Sequence, residues 1–255
     1  MSENELRDVL NYLGMQRLRE KMQRMQNLLK IANRDEALYR EIMLSLGYKN
    51  NKSQFLELAL LLPYNQIQEL KDKEIIEQAL LFRAGLSENK NNLPKHFDLS
   101  LRMPKNRWVF KGTRPTNFPQ KRISDISFLL TESIDSGIFS FFNNKIEENF
   151  VENVDASIST KIVKKIMFFK NVGITRKKEM FFNIILPYFL VIYENDAKRK
   201  TFLYDIFLFH SSLNENSTIK KFKRKINEKF PETDFETKTI REYFGILKYM
   251  QNKVN

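Results

Sequence analysis

The chain is poor in the two residues that interrupt regular backbone structure. Its 255 residues include only 7 glycines and 7 prolines. A sandwich or barrel with many tight turns needs more turn residues, whereas apolar residues recurring three or four positions apart are typical of amphipathic helices. Hydrophobic residues make up 42% of the chain, which is enough to build a core. The sequence therefore predicts an all-α protein, an irregular multi-helix bundle with little or no β-sheet.

The first third of the chain carries clear helix signals. Apolar periodicity predicts one long amphipathic helix over residues 3–31. Ser2 and Glu5 have the spacing of a capping box, in which each side chain accepts a hydrogen bond from the other residue's backbone N–H. A second helix is expected to end at Gly47 in the left-handed conformation. Ser53 is expected to cap a third helix.

Two stretches interrupt the helical pattern. Residues 87–106 contain several asparagines, two prolines and no period, and we expect an exposed loop there. The chain is expected to form a single helical domain over 1–255, in which lobes 1–86 and 107–255 could be joined by this loop. The second interruption, GITRKKE (173–179), is expected to be a turn.

Several chemistries lack the residues that they need. Cysteine is absent, so disulfides, thiolate metal sites and cysteine nucleophiles are excluded. The two histidines, His96 and His210, lack ligand spacing. Acids within 147–155 could bind a hard cation, although a solvated acidic face explains them as well. With no phosphate-cradling glycine loop, nucleophile elbow or dinucleotide fingerprint, the sequence predicts no catalytic residue, metal or cofactor.

Membrane and export signals are also missing from the sequence. The most apolar stretch, MFFNIILPYFLVIY (180–193), is too short to span a bilayer and is broken by Asn183 and Pro187. The start, MSENELRDVL, lacks the basic and apolar regions of a signal peptide. We therefore expect a cytoplasmic protein that does not insert into membranes.

Positive charge is in excess and is clustered. The chain has 43 Lys and Arg against 31 Asp and Glu, a net charge of +12. The excess lies in three stretches, 95–125, 161–178 and 217–230. Such clusters favour an acidic partner, above all nucleic acid. Compositional bias is a second interpretation, because AT-rich genomes encode proteins rich in Lys, Asn, Ile and Phe.

Basic and aromatic residues alternate in RWVFKGTRPTNFPQKR (107–122), a stretch stiffened by Pro115 and Pro119. Arginine offers a planar fork to phosphate, and aromatic rings can stack on bases. A structural loop with Trp108 in the core explains the same residues. The candidate DNA or RNA contacts, taken from this stretch and from 161–178, are Arg107, Trp108, Lys111, Arg114, Asn117, Lys121, Arg122, Lys164, Lys165, Arg176, Lys177 and Lys178.

Three stretches have a specific residue order: EALYREIMLSLGYKNNKSQFLELALLLPY (36–64), EQALLFRAGL (77–86) and WVFKGTRPTNFPQKRI (108–123). Together they resemble the helical C-terminal region of the bacterial domain of unknown function 2851 family, over roughly residues 1–210. The third stretch matches through Trp108, Arg114, Pro115, Asn117, Pro119 and Arg122. A loop of this kind could simply lock two helices, with Asn117 capping a helix that starts near Ile123.

The resemblance implies a helical fold and assigns no activity. Typical family members add an N-terminal β-rich region, with acidic motifs reminiscent of metal-dependent nucleases, and often end in a small Cys cluster. This sequence has neither feature. If the β-rich region acts on nucleic acid, the helical part would be a natural grip for it.

The sequence is compatible with three functions. The leading hypothesis is a non-enzymatic, nucleic-acid-associated protein that grips phosphates through its basic clusters. The first alternative is an interaction or scaffold module that docks on another protein chain, which predicts an exposed apolar patch along the first helix or along 202–209. The second is an uncharacterised enzyme, which predicts a deep pocket lined by acids or histidine.

Overall fold

The fold is helical throughout its regular structure. A computed structural model describes residues 2–47, 50–167, 172–229 and 235–253. Within these ranges the all-α prediction is confirmed, and extended pairing is limited to one isolated antiparallel bridge between Ser211 and Thr239. None of the helices in the described ranges combines the length and apolarity needed to cross a membrane.

Thirteen α-helices are assigned in the described residues. In chain order they are α1 (Glu3–Leu29), α2 (Arg34–Leu46), α3 (Lys52–Leu61), α4 (Tyr64–Leu70), α5 (Lys73–Arg83), α6 (Pro119–Glu132), α7 (Ile138–Glu148), α8 (Ala156–Ile166), α9 (Ile174–Met180), α10 (Leu186–Ile192), α11 (Ala197–Phe209), α12 (Ser217–Lys229) and α13 (Ile240–Asn252). Shorter helical turns occur at Lys105–Arg107, Pro115–Asn117 and Phe181–Ile185.

Backbone contacts divide the chain into two compact units. The terminal unit comprises the described parts of 1–27, 146–167 and 174–255, and the central unit those of 28–145 and 168–173. The predicted loop 87–106 lies inside the central unit and is free of helix as far as Pro104. The division into lobes 1–86 and 107–255 stays a prediction.

The loop 87–106 is tied to α5 by a buried arginine. The Arg83 side chain donates to the carbonyl oxygens of Asp98 and Leu101, and its guanidinium lies 4.1 Å from the ring centroid of Phe97. The backbone N–H of Met103 donates to the Arg83 carbonyl oxygen at 2.7 Å. Burial lowers the pKa of Arg83. The loop is therefore fixed at its second half, although it contains no regular structure.

Local signals set the start of several helices. The Ser2 N–H donates to Glu5 Oε2 at 2.6 Å, and the Glu5 N–H donates to Ser2 Oγ at 3.2 Å, which confirms the capping box. Asp72 accepts from two backbone N–H groups at the start of α5, and Thr239 accepts from one, that of Glu242, at the start of α13. These side chains satisfy donors that have no partner within the helix.

Two of the predicted helix boundaries are wrong. Gly47 ends α2 in the right-handed conformation, with φ −67°. Glycine is required at position 47 for another reason: a Cβ there would overlap the backbone of Asn51. The third helix, α3, begins at Lys52, before Ser53, and Asn51 precedes it without a side-chain capping bond.

Two further predictions are wrong, one at residues 173–179 and one at the start of α6. Residues 173–179 are not a turn, since most of them form α9, which continues through a π-helical turn into α10. That turn ends with a hydrogen bond from the Leu186 N–H to the Phe181 carbonyl oxygen. Pro187, which has no N–H to donate, follows Leu186 directly. Helix α6 begins at Pro119 rather than near Ile123, because proline fits the first helical turn.

Helices α1 and α13 of the terminal unit cross at two glycines. A Cβ on Gly14 would overlap the carbonyl oxygen of Arg241, and a Cβ on Gly245 would overlap that of Leu10. In each case the neighbour is backbone, which cannot move aside as a flexible side chain can. The two helices therefore approach each other as closely as their main chains allow.

We predict that Gly245→Ala destabilises the protein by about 2 kcal/mol or more, because the added methyl group forces α1 and α13 apart. Urea unfolding followed by circular dichroism measures the change. Gly173→Ala is the matched control, because a Cβ at Gly173 meets no atom of the described residues within 4 Å. Equal stability of the two variants would contradict the close crossing.

Candidate functional site

The basic loop, defined here as residues 105–122, is anchored by its tryptophan. Trp108 is 4% exposed, and its indole N–H donates to the Ala84 carbonyl oxygen at 2.7 Å. The indole also packs edge-on against Phe55, with ring centroids 5.1 Å apart. Trp108 is therefore a core residue of the central unit, and its ring is not available to stack on a base.

A buried asparagine holds the backbone next to this anchor. Asn51 Nδ2 donates to the Val109 carbonyl oxygen at 2.9 Å, and the Val109 N–H donates to Asn51 Oδ1 at 2.8 Å. Gln54, one turn further along α3, donates to the Arg107 carbonyl oxygen at 2.9 Å. The amide side chains of Asn51 and Gln54 thus replace regular secondary structure as hydrogen-bond partners of the loop.

The second half of the basic loop is locked onto α6. Phe110 and Phe118 meet edge-on, with centroids 5.5 Å apart, and both are half-buried. Arg122 is 8% exposed, donates to Asn117 Oδ1 and lies 3.9 Å from the carboxylate of Asp125. Asn117 therefore binds an arginine rather than capping a helix. Because Asn117 and Arg122 bind each other, we leave both out of the candidate contact surface.

The remaining cations of the loop are exposed, and some are paired with carboxylates. Arg107 lies 2.7 Å from Glu57, and Lys121 pairs with Asp125. Lys111 and Arg114 are exposed and form no ion pair with any residue that the structure describes. Lys105, at the start of the loop, is likewise exposed and outside the ion pairs of the described residues, so the unpaired charge of the loop lies at Lys105 and at 111–114.

The other candidate contacts belong to the terminal unit. Lys164 and Lys165 are exposed on α8, whose opposite face is buried. Arg176 is half-buried and lies 3.2 Å from Glu179, and Lys177 and Lys178 are also half-buried on α9. The exposed lysines of α8 are thus better suited to bind an external anion than the basic residues of α9.

Residues 1–218 match the model of a family described as protein of unknown function (DUF2851). The chain belongs to this family. Comparisons with curated proteins and with solved structures find no match. The basic loop, α8 and α9 of this DUF2851 member lie within the matched residues, which end near the start of α12.

Acidic residues of the DUF2851 member are engaged in structural contacts. Glu147 accepts hydrogen bonds from Arg199, whose side chain lowers the pKa of Glu147, and from the Tyr193 hydroxyl at 3.1 Å. Asp155 caps α8. The described residues contain no group of three or more His, Cys, Asp or Glu side chains arranged to hold a metal ion.

We expect Asn51→Ala to destabilise this DUF2851 member by roughly 2–3 kcal/mol, because the N–H and C=O of Val109 would both lose their partner. Urea unfolding measures the loss, and faster trypsin cleavage after Lys111 would show that the loop is released. Lys52→Ala is the control, since Lys52 is exposed next to Asn51. If both variants unfold alike, the loop is held by other contacts.

His210 is a buried titratable group at the end of α11. It is fully buried, its Nδ1 donates to the Ser211 carbonyl oxygen at 2.5 Å, and its ring lies edge-on to Phe182 at 4.7 Å. Its Nε2 has no hydrogen-bond partner among the described residues. Burial, assisted by the positive charge of Lys178 and opposed by the hydrogen bond to Ser211, lowers the pKa of His210 to about 4. The folded protein therefore holds a neutral imidazole.

This burial predicts a loss of stability in acid. The unfolded chain protonates His210 as pH falls through 6.5, whereas the folded chain does so only near pH 4, where its pKa lies. The free energy of unfolding that depends on neutral His210 is fully present above pH 6.5. It is lost as pH falls towards 4, by up to about 3 kcal/mol. Urea unfolding between pH 7 and pH 4.5 should show a shallower pH dependence for His210→Phe than for the natural protein. Parallel curves would contradict this prediction.

Proposed function

We propose that the protein is a non-enzymatic nucleic-acid-binding protein that grips the phosphate backbone. Lys111 and Arg114 form the centre of the contact, and Arg107 and Lys121 flank it. One observation carries the proposal: the basic loop is fixed by buried neutral groups, while its two central cations are exposed and lack a carboxylate partner among the described residues. A fixed loop loses little conformational entropy when it binds.

The charge pattern supports an anionic partner of high charge density. An isolated surface cation is solvated and contributes little, whereas a polyanion releases counterions at every phosphate that is neutralised. The exposed Lys164 and Lys165 on α8 would add further contacts. Arginine and lysine together suit phosphate, since the guanidinium fork and the ammonium point charge both bind its oxygens.

The loop geometry supports contact with the backbone rather than with bases. Trp108 is buried, and Phe110 and Phe118 pack against each other. The aromatic residues of the basic loop therefore stabilise the loop itself. Phosphate contacts position a strand without reading its sequence, so we expect weak sequence preference and a steep dependence on salt.

The alternative of docking on another protein chain receives less support from the apolar surface. In the Phe-rich stretch 202–209, Phe202 and Phe207 are buried, whereas Phe209 is 48% exposed. On the first helix, Val9 and Tyr12 are exposed at 45% and 60%. If the protein binds no nucleic acid, these exposed side chains would be the first to mutate in a search for a protein partner.

We predict that Lys111→Gln/Arg114→Gln weakens binding to short single-stranded and double-stranded DNA and RNA about tenfold near physiological salt. The slope of log K against log salt should fall in magnitude by about 2, because two phosphate contacts are lost. Fluorescence anisotropy across a salt series measures both quantities. Circular dichroism and urea unfolding establish that the variant remains folded, as expected for two exposed side chains.

The matched control is Lys71→Gln/Lys90→Gln, which removes the same charge from exposed positions of the central unit outside the basic loop. It should change affinity much less than the loop variant does. Equal weakening in both variants would show that net charge alone drives binding. Absence of binding by the natural protein at physiological salt would reject the proposed function, and the excess charge would then reflect compositional bias.

A further inference from the structure

Helix α12 is fixed to the terminal unit by its apolar face. Ile219 and Phe222 are buried, and the Phe222 ring lies edge-on to Phe235 and Tyr249, with centroids 6.0 and 5.6 Å away. An amphipathic helix that binds a membrane surface needs its apolar face for the lipid. In α12 that face is already occupied, so the outward face is left for contacts made by charge.

The outward face of α12 is strongly basic. Its exposed cations are two pairs one helical turn apart: Lys220 with Arg224, and Lys221 with Lys225. Residues four apart lie on the same side of a helix, so the pairs form two parallel rows. The structure thus presents four cations on one side of a fixed helix.

Nearby carboxylates are bound to other partners. Lys223, which faces inward, lies 2.8 Å from Glu215 and also binds Glu236. Arg224 lies 3.5 Å from Glu228 on the following turn. Lys220, Lys221 and Lys225 form no ion pair with the described residues. Three of the four outward cations therefore keep an unneutralised charge.

A polar groove adjoins the start of this face. It has a volume of about 670 Å³ and is rich in hydroxyl and amine donors. Its donors include Ser211, Ser212, Asn214, Lys220, Thr237 and Lys238. The two carboxylates in its wall, Glu215 and Glu236, are those that Lys223 binds.

One atom in the groove lacks a partner. The Oγ1 atom of Thr237 is buried and has no hydrogen-bond partner among the described residues. A buried polar atom without a partner is unfavourable unless a ligand or water binds it. The groove therefore offers two lysine side chains, Lys220 and Lys238, to an oxygen-rich anion, and Thr237 in its wall carries a buried hydroxyl without a partner among the described residues.

We infer that the groove and the outward face of α12 form a second phosphate-binding surface, separate from the basic loop. One phosphate would lie in the groove between Lys220 and Lys238, and the next phosphates of the same strand would follow Lys221, Arg224 and Lys225. The inference rests on the proposed function, because the ligand is again a nucleic-acid backbone. The cations of this surface lie outside the family match, which ends at residue 218, whereas the groove residues 211–215 lie within it.

The test uses the full chain and a fluorescein-labelled single-stranded oligonucleotide. Lys220→Gln/Lys221→Gln/Lys225→Gln should weaken binding at least tenfold and lower the magnitude of the salt slope by about 2, following the weaker counterion release of single strands. Lys71→Gln/Lys90→Gln/Lys198→Gln removes the same charge from exposed positions elsewhere and should weaken binding much less. A triple variant that binds like this control would overturn the inference.

A second measurement addresses the groove itself. Inorganic phosphate added to the labelled protein should shift the backbone amide signals of Ser212 and Thr237 in NMR spectra, and Lys220→Gln/Lys238→Gln should abolish the shift. Phosphate shifts that persist in this variant would reject the groove as part of the surface. If the α12 triple variant lost binding to phosphatidylserine vesicles while binding the oligonucleotide normally, the surface would belong to a membrane and the inference would fail.

The outcomes separate this inference from the proposed function. If the natural protein binds no oligonucleotide, both fail. If the Lys111/Arg114 variant is weakened and the α12 variant matches its control, only the second surface is rejected. If the α12 variant alone is weakened, the α12 surface stands and the basic loop is rejected as a contact.

Discussion

The position of the basic loop depends on the hydrogen bonds between Asn51 and the backbone of Val109. A segment with two prolines and few regular hydrogen bonds would otherwise sample many conformations, at a cost in entropy on each binding event. The Asn51 side chain supplies both missing partners, and the burial of Trp108 fixes the adjacent backbone. These two anchors hold the backbone on the N-terminal side of Lys111 and Arg114, so the proposed phosphate contact depends on Asn51 and Trp108 as well as on the two cations.

Ion pairs within the protein neutralise some of its basic residues and leave others without a carboxylate partner in the part of the chain that the structure describes. Arg107 is opposed by Glu57, and Lys223 by two glutamates. Such pairs contribute little to stability when exposed, but they neutralise the local field. Outside these pairs are Lys111 and Arg114 in the central unit and Lys220, Lys221 and Lys225 on α12 of the terminal unit, together with exposed lysines elsewhere such as Lys71, Lys90 and Lys198. Among the described residues, part of the excess positive charge is therefore unopposed at both proposed surfaces, although exposed lysines also occur elsewhere on the protein.

The sequence predicted the helical elements better than their ends. The capping box of Ser2 and Glu5 was recognisable because both hydrogen bonds close within three residues. Gly47 was misinterpreted because its role is close approach to the backbone of Asn51, which a conformational rule for helix ends does not include. The sequence predicts a turn at 173–179, yet most of these residues are helical. The wider π turn before Pro187 lets the helix continue although proline has no N–H to donate.

Composition and periodicity were sufficient to determine an all-α chain with three basic clusters, because both depend on residue type and spacing alone. Only the tertiary structure decided which loop residues face the solvent. Trp108 is buried through a bond to Ala84, 24 residues earlier, and Val109 is held by Asn51, 58 residues earlier. Sequence spacing carries no information about such distant contacts. An aromatic ring that could have stacked on a base is therefore a core residue, while the lysine and arginine beside it remain in water.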